Sequence, residues 1–99
     1  MRLVWTPRAR ADLDEITAYI AADNPDAAER VADHIYAAVA RLLDQPGLGH
    51  PGRKDGTREL IVRKGSWRSG YIIPYRVRGE RVELLAVIHG AREWPADLG

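Results

Sequence analysis

The apolar positions of this chain change period once, near its middle. Up to about residue 43 they recur every three or four residues: Leu13, Ile16, Tyr19 and Ile20, then Ala28, Val31, Ile35, Val39 and Leu42. That spacing puts them on one side of each of two helices. From Arg58 onward the apolar residues come in short runs suited to strands: Arg58–Arg63, Tyr71–Val77 and Val82–Ile88. A further short run, Leu3-Val4-Trp5, precedes the first helix.

Local punctuation sets the boundaries. Thr6 is an N-cap with Pro7 at the first helical position, and Asn24 with Pro25 repeats the device for the second helix. The first helix is expected to end near Ala22 and the second near Leu43, where Gln45-Pro46-Gly47 stops it. So short a connection packs the two helices antiparallel. Leu48 to Thr57 reads as an exposed loop, and Arg78-Gly79-Glu80-Arg81 as a hairpin turn. Pro74 lacks an N–H for a sheet ladder, so a bulge, or an outward-facing backbone position, is expected there. The prediction is one α+β domain over residues 1–99: an N-terminal strand, a helical hairpin, then a three-stranded antiparallel meander packed on the helices.

Counting faces adds an expectation about partners. One helical hairpin covers one face of a sheet. Ile61, Ile72, Pro74, Leu85 and Val87 fall on the other face, which the chain is expected to leave apolar and uncovered. Patches of that kind mark protein–protein contacts; the alternative is that sheet twist and the loop from Leu48 to Thr57 cover most of this one.

Charge alters this picture only locally. With 15 basic and 14 acidic residues the net charge is +1, unlike a dedicated nucleic-acid binder. Acids gather between Asp12 and Glu29, whereas the stretch from Arg53 to Arg81 is basic and suits an anionic partner or a solvated sheet rim. The absence of cysteine excludes disulfides and thiolate chemistry. The first twenty residues carry charges throughout, and no apolar run is long enough to span a bilayer, so a cytoplasmic protein is expected.

Candidate chemistry is sparse. No Ser-His-Asp pattern, metal-ligand spacing or phosphate loop is present, and no cofactor is expected. His34 and His50 read as structural or surface residues. His89 ends an apolar strand three residues before Arg92, and the two could supply a general acid/base and an anion-binding guanidinium. A hydrogen-bonded structural histidine is the alternative. Trp5 and Trp94 suit core-sealing roles. Trp67, beside Lys64 and Arg68, is the candidate for an exposed contact, and Arg76 and Arg92 join it by charge.

Trp5-Thr6-Pro7 with Ala9, Asp12, Leu13, Ile16 and Tyr19 resembles the RelE/ParE superfamily of type II toxins. So do Gly52-Arg53, Arg58-Glu59-Leu60, Tyr71-Ile72-Ile73-Pro74-Tyr75-Arg76 and Val87-Ile88-His89-Gly90-Ala91-Arg92. The resemblance covers nearly the entire chain. It implies a plasmid-stabilisation type toxin that arrests growth and is neutralised in a hetero-oligomer with a ParD-like antitoxin.

The superfamily holds two activities, ribosome-dependent mRNA cleavage in RelE-like members and inhibition of DNA gyrase in ParE-like members. The lysine positions of the RelE pattern fall near Glu59 and Ile61, its strand arginine at Ile72, and its late tyrosine near Leu98. Only the late arginine is met, by Arg92. A nuclease lacking those groups loses most of its transition-state stabilisation. The resemblance therefore implies a ParE-like protein with gyrase as target and partner contacts at Ile61, Trp67, Ile72, Pro74, Arg76, Leu85, Val87 and Arg92. The alternatives are a RelE-like nuclease acting on ribosome-bound mRNA through His89 and Arg92, and a degenerate toxin that only binds its antitoxin.

Overall fold

A computed structural model describes residues 1–65, 67 and 69–90. Strand β1 (Arg2–Trp5) leads into helices α1 (Pro7–Ala21) and α2 (Pro25–Ala40), and a 3-10 turn at Arg41–Leu43 extends the second. Strands β2 (His50–Pro51), β3 (Arg58–Val62), β4 (Tyr71–Arg78), β5 (Arg81–Leu84) and β6 (Ile88–His89) follow. The architecture is the expected α+β one, with two additions. The loop after the helices contributes the short β2, and the N-terminal strand joins the meander.

The sheet runs β1-β5-β4-β3-β2, with β6 also paired to β4. All pairings are antiparallel except β1 with β5, which is parallel. A return to a parallel neighbour needs a long crossover, and here the helical hairpin is part of it. Both helix starts form as their sequence dictates. The Thr6 Oγ1 accepts from the Ala9 N–H at 3.2 Å and donates to the Leu84 carbonyl at 2.6 Å, so one hydroxyl caps α1 and ties it to β5. Asn24 Oδ1 accepts from the Ala27 N–H at 3.1 Å.

The core lies between the hairpin and one sheet face. Leu13, Val31, Ile35, Val39 and Leu42 meet Leu60, Val62, Tyr71, Ile73, Tyr75, Val82 and Leu84. The turn between β4 and β5 uses Gly79 at φ 56°, a left-handed conformation that costs glycine nothing.

The third strand is not the continuous run that its apolar sequence suggests. Tyr75 pairs with Leu84, but Ile72 pairs with Ile88, so Ile73 and Pro74 face the three residues Leu85, Ala86 and Val87. One extra residue sits opposite Pro74, where the ladder lacks its donor. The Leu85 N–H donates to the Pro74 carbonyl at 2.8 Å across this bulge. An inserted residue reverses facing. Before the bulge Val82 and Leu84 point to the helices; after it Val87 does.

Burial corrects the expectation of an uncovered second face, and the bulge accounts for it at Val87. Val87 belongs to the main core, Leu85 is 7% exposed and Pro74 is fully buried. Ile61 alone of the five is openly exposed, at 50%, with Ile72 half-buried opposite it.

Candidate functional site

Helix α1 and the bulged end of the sheet enclose a cleft of about 560 Å³. Arg8, Asp12, Glu15, Ile16, Tyr19 and Ile20 supply the helical wall, and Tyr71, Val87, Ile88 and His89 supply the strand wall. Asp12 crosses between them. Its carboxylate accepts from the Val87 N–H at 3.0 Å and from the Arg8 Nε at 3.2 Å. This first-helix acid thus serves to close the bulge.

His89 stands exposed at the rim of this cleft. Its Nε2 lies 2.6 Å from the Ser69 Oγ, and its ring packs edge-on against Tyr71 with centroids 5.6 Å apart. Tyr71 in turn meets Trp67 at 5.7 Å, and Trp67 meets His34 at 5.5 Å. Burial raises the Tyr71 hydroxyl above its ordinary pKa. This line of rings runs from the second helix to the end of the sheet. It corrects the expectation for Trp67, which is half-buried against the core rather than offered outward. Arg92 and Trp94 lie outside the described residues, so the pairing of His89 with Arg92 lies there too.

The opposite sheet face has two distinct ends. At one, Ile61 and Ile72 are cross-strand partners, and the neighbouring pair is Glu59 with Pro74. Glu59 is 5% exposed. Its carboxylate accepts from the Arg53 N–H at 3.2 Å, with the Arg53 Nε at 3.7 Å and the His50 Nε2 at 3.9 Å. This buried acid organises the loop around β2.

At the other end Arg76 is no free cation. Its Nε donates to Glu83 at 2.7 Å, and Arg81 and Arg78 approach the same carboxylate at 3.4 and 3.9 Å. The hydrogen bond from Arg76 chiefly, then the surrounding guanidiniums, holds the Glu83 carboxyl below the usual carboxylate range. The sequence points to Arg76 but not to this cluster, which forms only when the antiparallel register of β4 and β5 sets Arg76 opposite Glu83 and Arg78 opposite Arg81.

Trp5 is accounted for structurally. It packs on the core with its ring edge-on to Tyr36 at 5.6 Å, and the Arg10 guanidinium stacks 4.9 Å above it. Among the described residues no group of His, Asp and Glu is arranged to hold a metal ion, and no helix is long and apolar enough to cross a membrane.

Comparison with known proteins agrees with this architecture. Residues 3–94 match the family described as the ParE toxin of the type II toxin–antitoxin system parDE. Y4kP of Sinorhizobium fredii, described as a candidate toxin, is 48% identical over 94 residues, covering 95% of this chain and 93% of that protein. Two Caulobacter vibrioides proteins carry different branch names. Toxin RelE2 is 35% identical over 92% of this chain and 97% of its own, and toxin ParE1 is 32% identical over 93% and 92%. A solved structure of the chromosomal ParDE toxin–antitoxin system from P. aeruginosa superposes with a TM-score of 0.74 at 30% identity, over 90% of this chain and 95% of that one. The resemblance seen in the sequence thus holds at the level of family and fold: the chain belongs to the ParE toxins of type II toxin–antitoxin systems, within the RelE/ParE superfamily.

Proposed function

We propose that this toxin is a ParE-like inhibitor of DNA gyrase, held inactive in the cytoplasm by a ParD-like antitoxin. The observation that carries this reading is the outer end of β3 and β4. Where the RelE pattern places cations, this chain has buried Glu59 and the Ile61–Ile72 pair. An acid and two apolar side chains cannot neutralise a phosphodiester in its transition state. Ile61, exposed with the half-buried Ile72 opposite it, offers a small apolar contact to a protein partner instead. The similarity to a ParDE system supports an antitoxin as that partner, and the exposure of Ile61 opposite Ile72 is our ground for assigning that pair to its contacts.

Purified gyrase titrated with antitoxin-free protein tests the reading. Loss of supercoiling with accumulation of linear DNA is expected. Unaffected supercoiling from a protein that still arrests growth overturns it.

A second reading rests on His89, which is exposed and hydrogen-bonded only to a serine hydroxyl among the described residues. As a general base it would serve mRNA cleavage on the ribosome. Cleavage that disappears in His89→Ala is the result that favours it. Absence of growth arrest on induction without antitoxin would instead indicate a degenerate, antitoxin-binding chain.

A further inference from the structure

The outer sheet face at the β1–β5–β4 end carries a row of like charges. Arg2 pairs with Arg81, and Arg81 pairs with Arg78, so three arginines stand side by side across three strands. The row two residues along each strand is Val4, Glu83 and Arg76. Like charges directly opposite each other destabilise a sheet. Glu83 relieves part of this, and it is the sole acid on these two rows. Four guanidiniums against one carboxylate leave three positive charges. Among the described residues no carboxylate pairs with Arg2. The Arg78 and Arg81 side chains remain 58% and 45% exposed despite their contacts with Glu83.

We infer that this face binds the phosphate backbone of duplex DNA. Guanidiniums present donors in a planar fork that matches phosphate oxygens. Strand spacing of about 4.8 Å sets the three arginines in an evenly stepped row along which a backbone can lie. No aromatic ring occupies these two rows, so unpaired bases find no stacking platform, as a single-strand site requires. Val4 is the one apolar residue among the six, so a peptide would find almost no anchor and would be held by charge alone. Glu83 keeps the guanidiniums extended and aligned while leaving the surplus charge to a ligand.

The inference stands apart from gyrase inhibition, which is measured separately. The test is fluorescence anisotropy of a labelled 20-base-pair duplex with the antitoxin-free protein, at a series of salt concentrations. Binding should weaken with salt at a log–log slope of about −3, close to 0.9 per phosphate contacted. The double variant Arg2→Gln, Arg78→Gln should reduce that slope by about two, with an unchanged circular dichroism spectrum. Arg2→Gln alone, at the exposed edge strand, should reduce it by about one. Duplex binding that is absent, or unchanged in these variants, overturns the proposal. Tighter binding of poly-glutamate or of single-stranded RNA than of the duplex also overturns it, and assigns the face to an acidic peptide or to RNA. Retained supercoiling inhibition alongside absent duplex binding would remove this inference and leave the gyrase reading intact.

Discussion

The backbone N–H of Val87 donates to the side chain of Asp12, 75 residues earlier, at 3.0 Å. The contact joins the first helix to the bulge that turns Val87 into the core. Without it the bulge would leave a partly buried N–H unpaired beside an apolar cleft. Asp12→Ala should cost about 1–3 kcal/mol, the usual penalty for a stranded buried donor. For a domain of this size that lowers Tm by roughly 4–8 °C per kcal/mol. Asp12→Asn keeps an acceptor and should recover part of the loss. Equal destabilisation by the two substitutions, in urea unfolding, would show that the Arg8 ion pair matters more than the Val87 bond.

Tyr75 plays the corresponding role on the other side of the fold. Its hydroxyl donates to the Pro46 carbonyl at 2.7 Å and accepts from the Gly49 N–H at 2.8 Å. Burial of the ring raises its pKa, against a smaller lowering by the Gly49 bond. Gly49 must be glycine here, because a Cβ would lie 2.7 Å from both the Glu59 carbonyl oxygen and the Tyr75 ring. Tyr75→Phe keeps the core volume but strands the Gly49 N–H, so a loss of about 1–3 kcal/mol is expected. Hydrogen exchange of the Gly49 amide should quicken beyond the global change in stability. An amide that stays protected at the wild-type rate would mean that another group satisfies it.

How far the sequence anticipates these contacts depends on their range. Thr6-Pro7 and Asn24-Pro25 place both helix starts because capping is decided within four residues. Pro74 likewise announces a disturbed ladder. What it does not reveal is the direction of the consequence, since one inserted residue moves Val87 from the outer face to the core. Alternation along a strand is a sound guide only while the register is unbroken. The Arg2–Arg81–Arg78 row is hidden for a different reason. It depends on β1 lying parallel to β5, a pairing between positions about 80 residues apart that no local pattern encodes. Trp67 reads as exposed from its charged neighbours, yet His34 and Tyr71 supply a half-buried seat for its ring.

Acid should weaken the outer face before the core. The carboxyl of Glu83 is held below its ordinary pKa of 4.5, first by the hydrogen bond from Arg76. A depressed folded-state pKa means that this group stabilises the fold above its unfolded value. That contribution disappears as pH falls through the folded value. The Tm difference between wild type and Glu83→Gln should therefore be full at neutral pH and shrink progressively below about pH 4.5. Added salt should also reduce it, because the partners are partly exposed. A difference that persists unchanged into strong acid would assign the effect to packing of the side chain rather than to its charge.

Ile61 separates a role in the complex from a role in the fold. It is half-exposed on β3 and faces Ile72 across the ladder, so the toxin by itself buries only part of it. Ile61→Arg should change the stability of the isolated toxin by no more than about 0.5 kcal/mol, as expected for a surface position. In a complex whose antitoxin covers this pair, the same substitution buries a charge without a partner. Such a loss at an interface anchor exceeds about 2 kcal/mol, more than tenfold in Kd. Calorimetric titration of the purified toxin with its antitoxin reads the two effects apart, with gyrase inhibition measured in parallel. Weaker neutralisation with intact inhibition would place the antitoxin on this end of the sheet. Unchanged affinity for the antitoxin with lost inhibition would assign Ile61 and Ile72 to the gyrase contact instead.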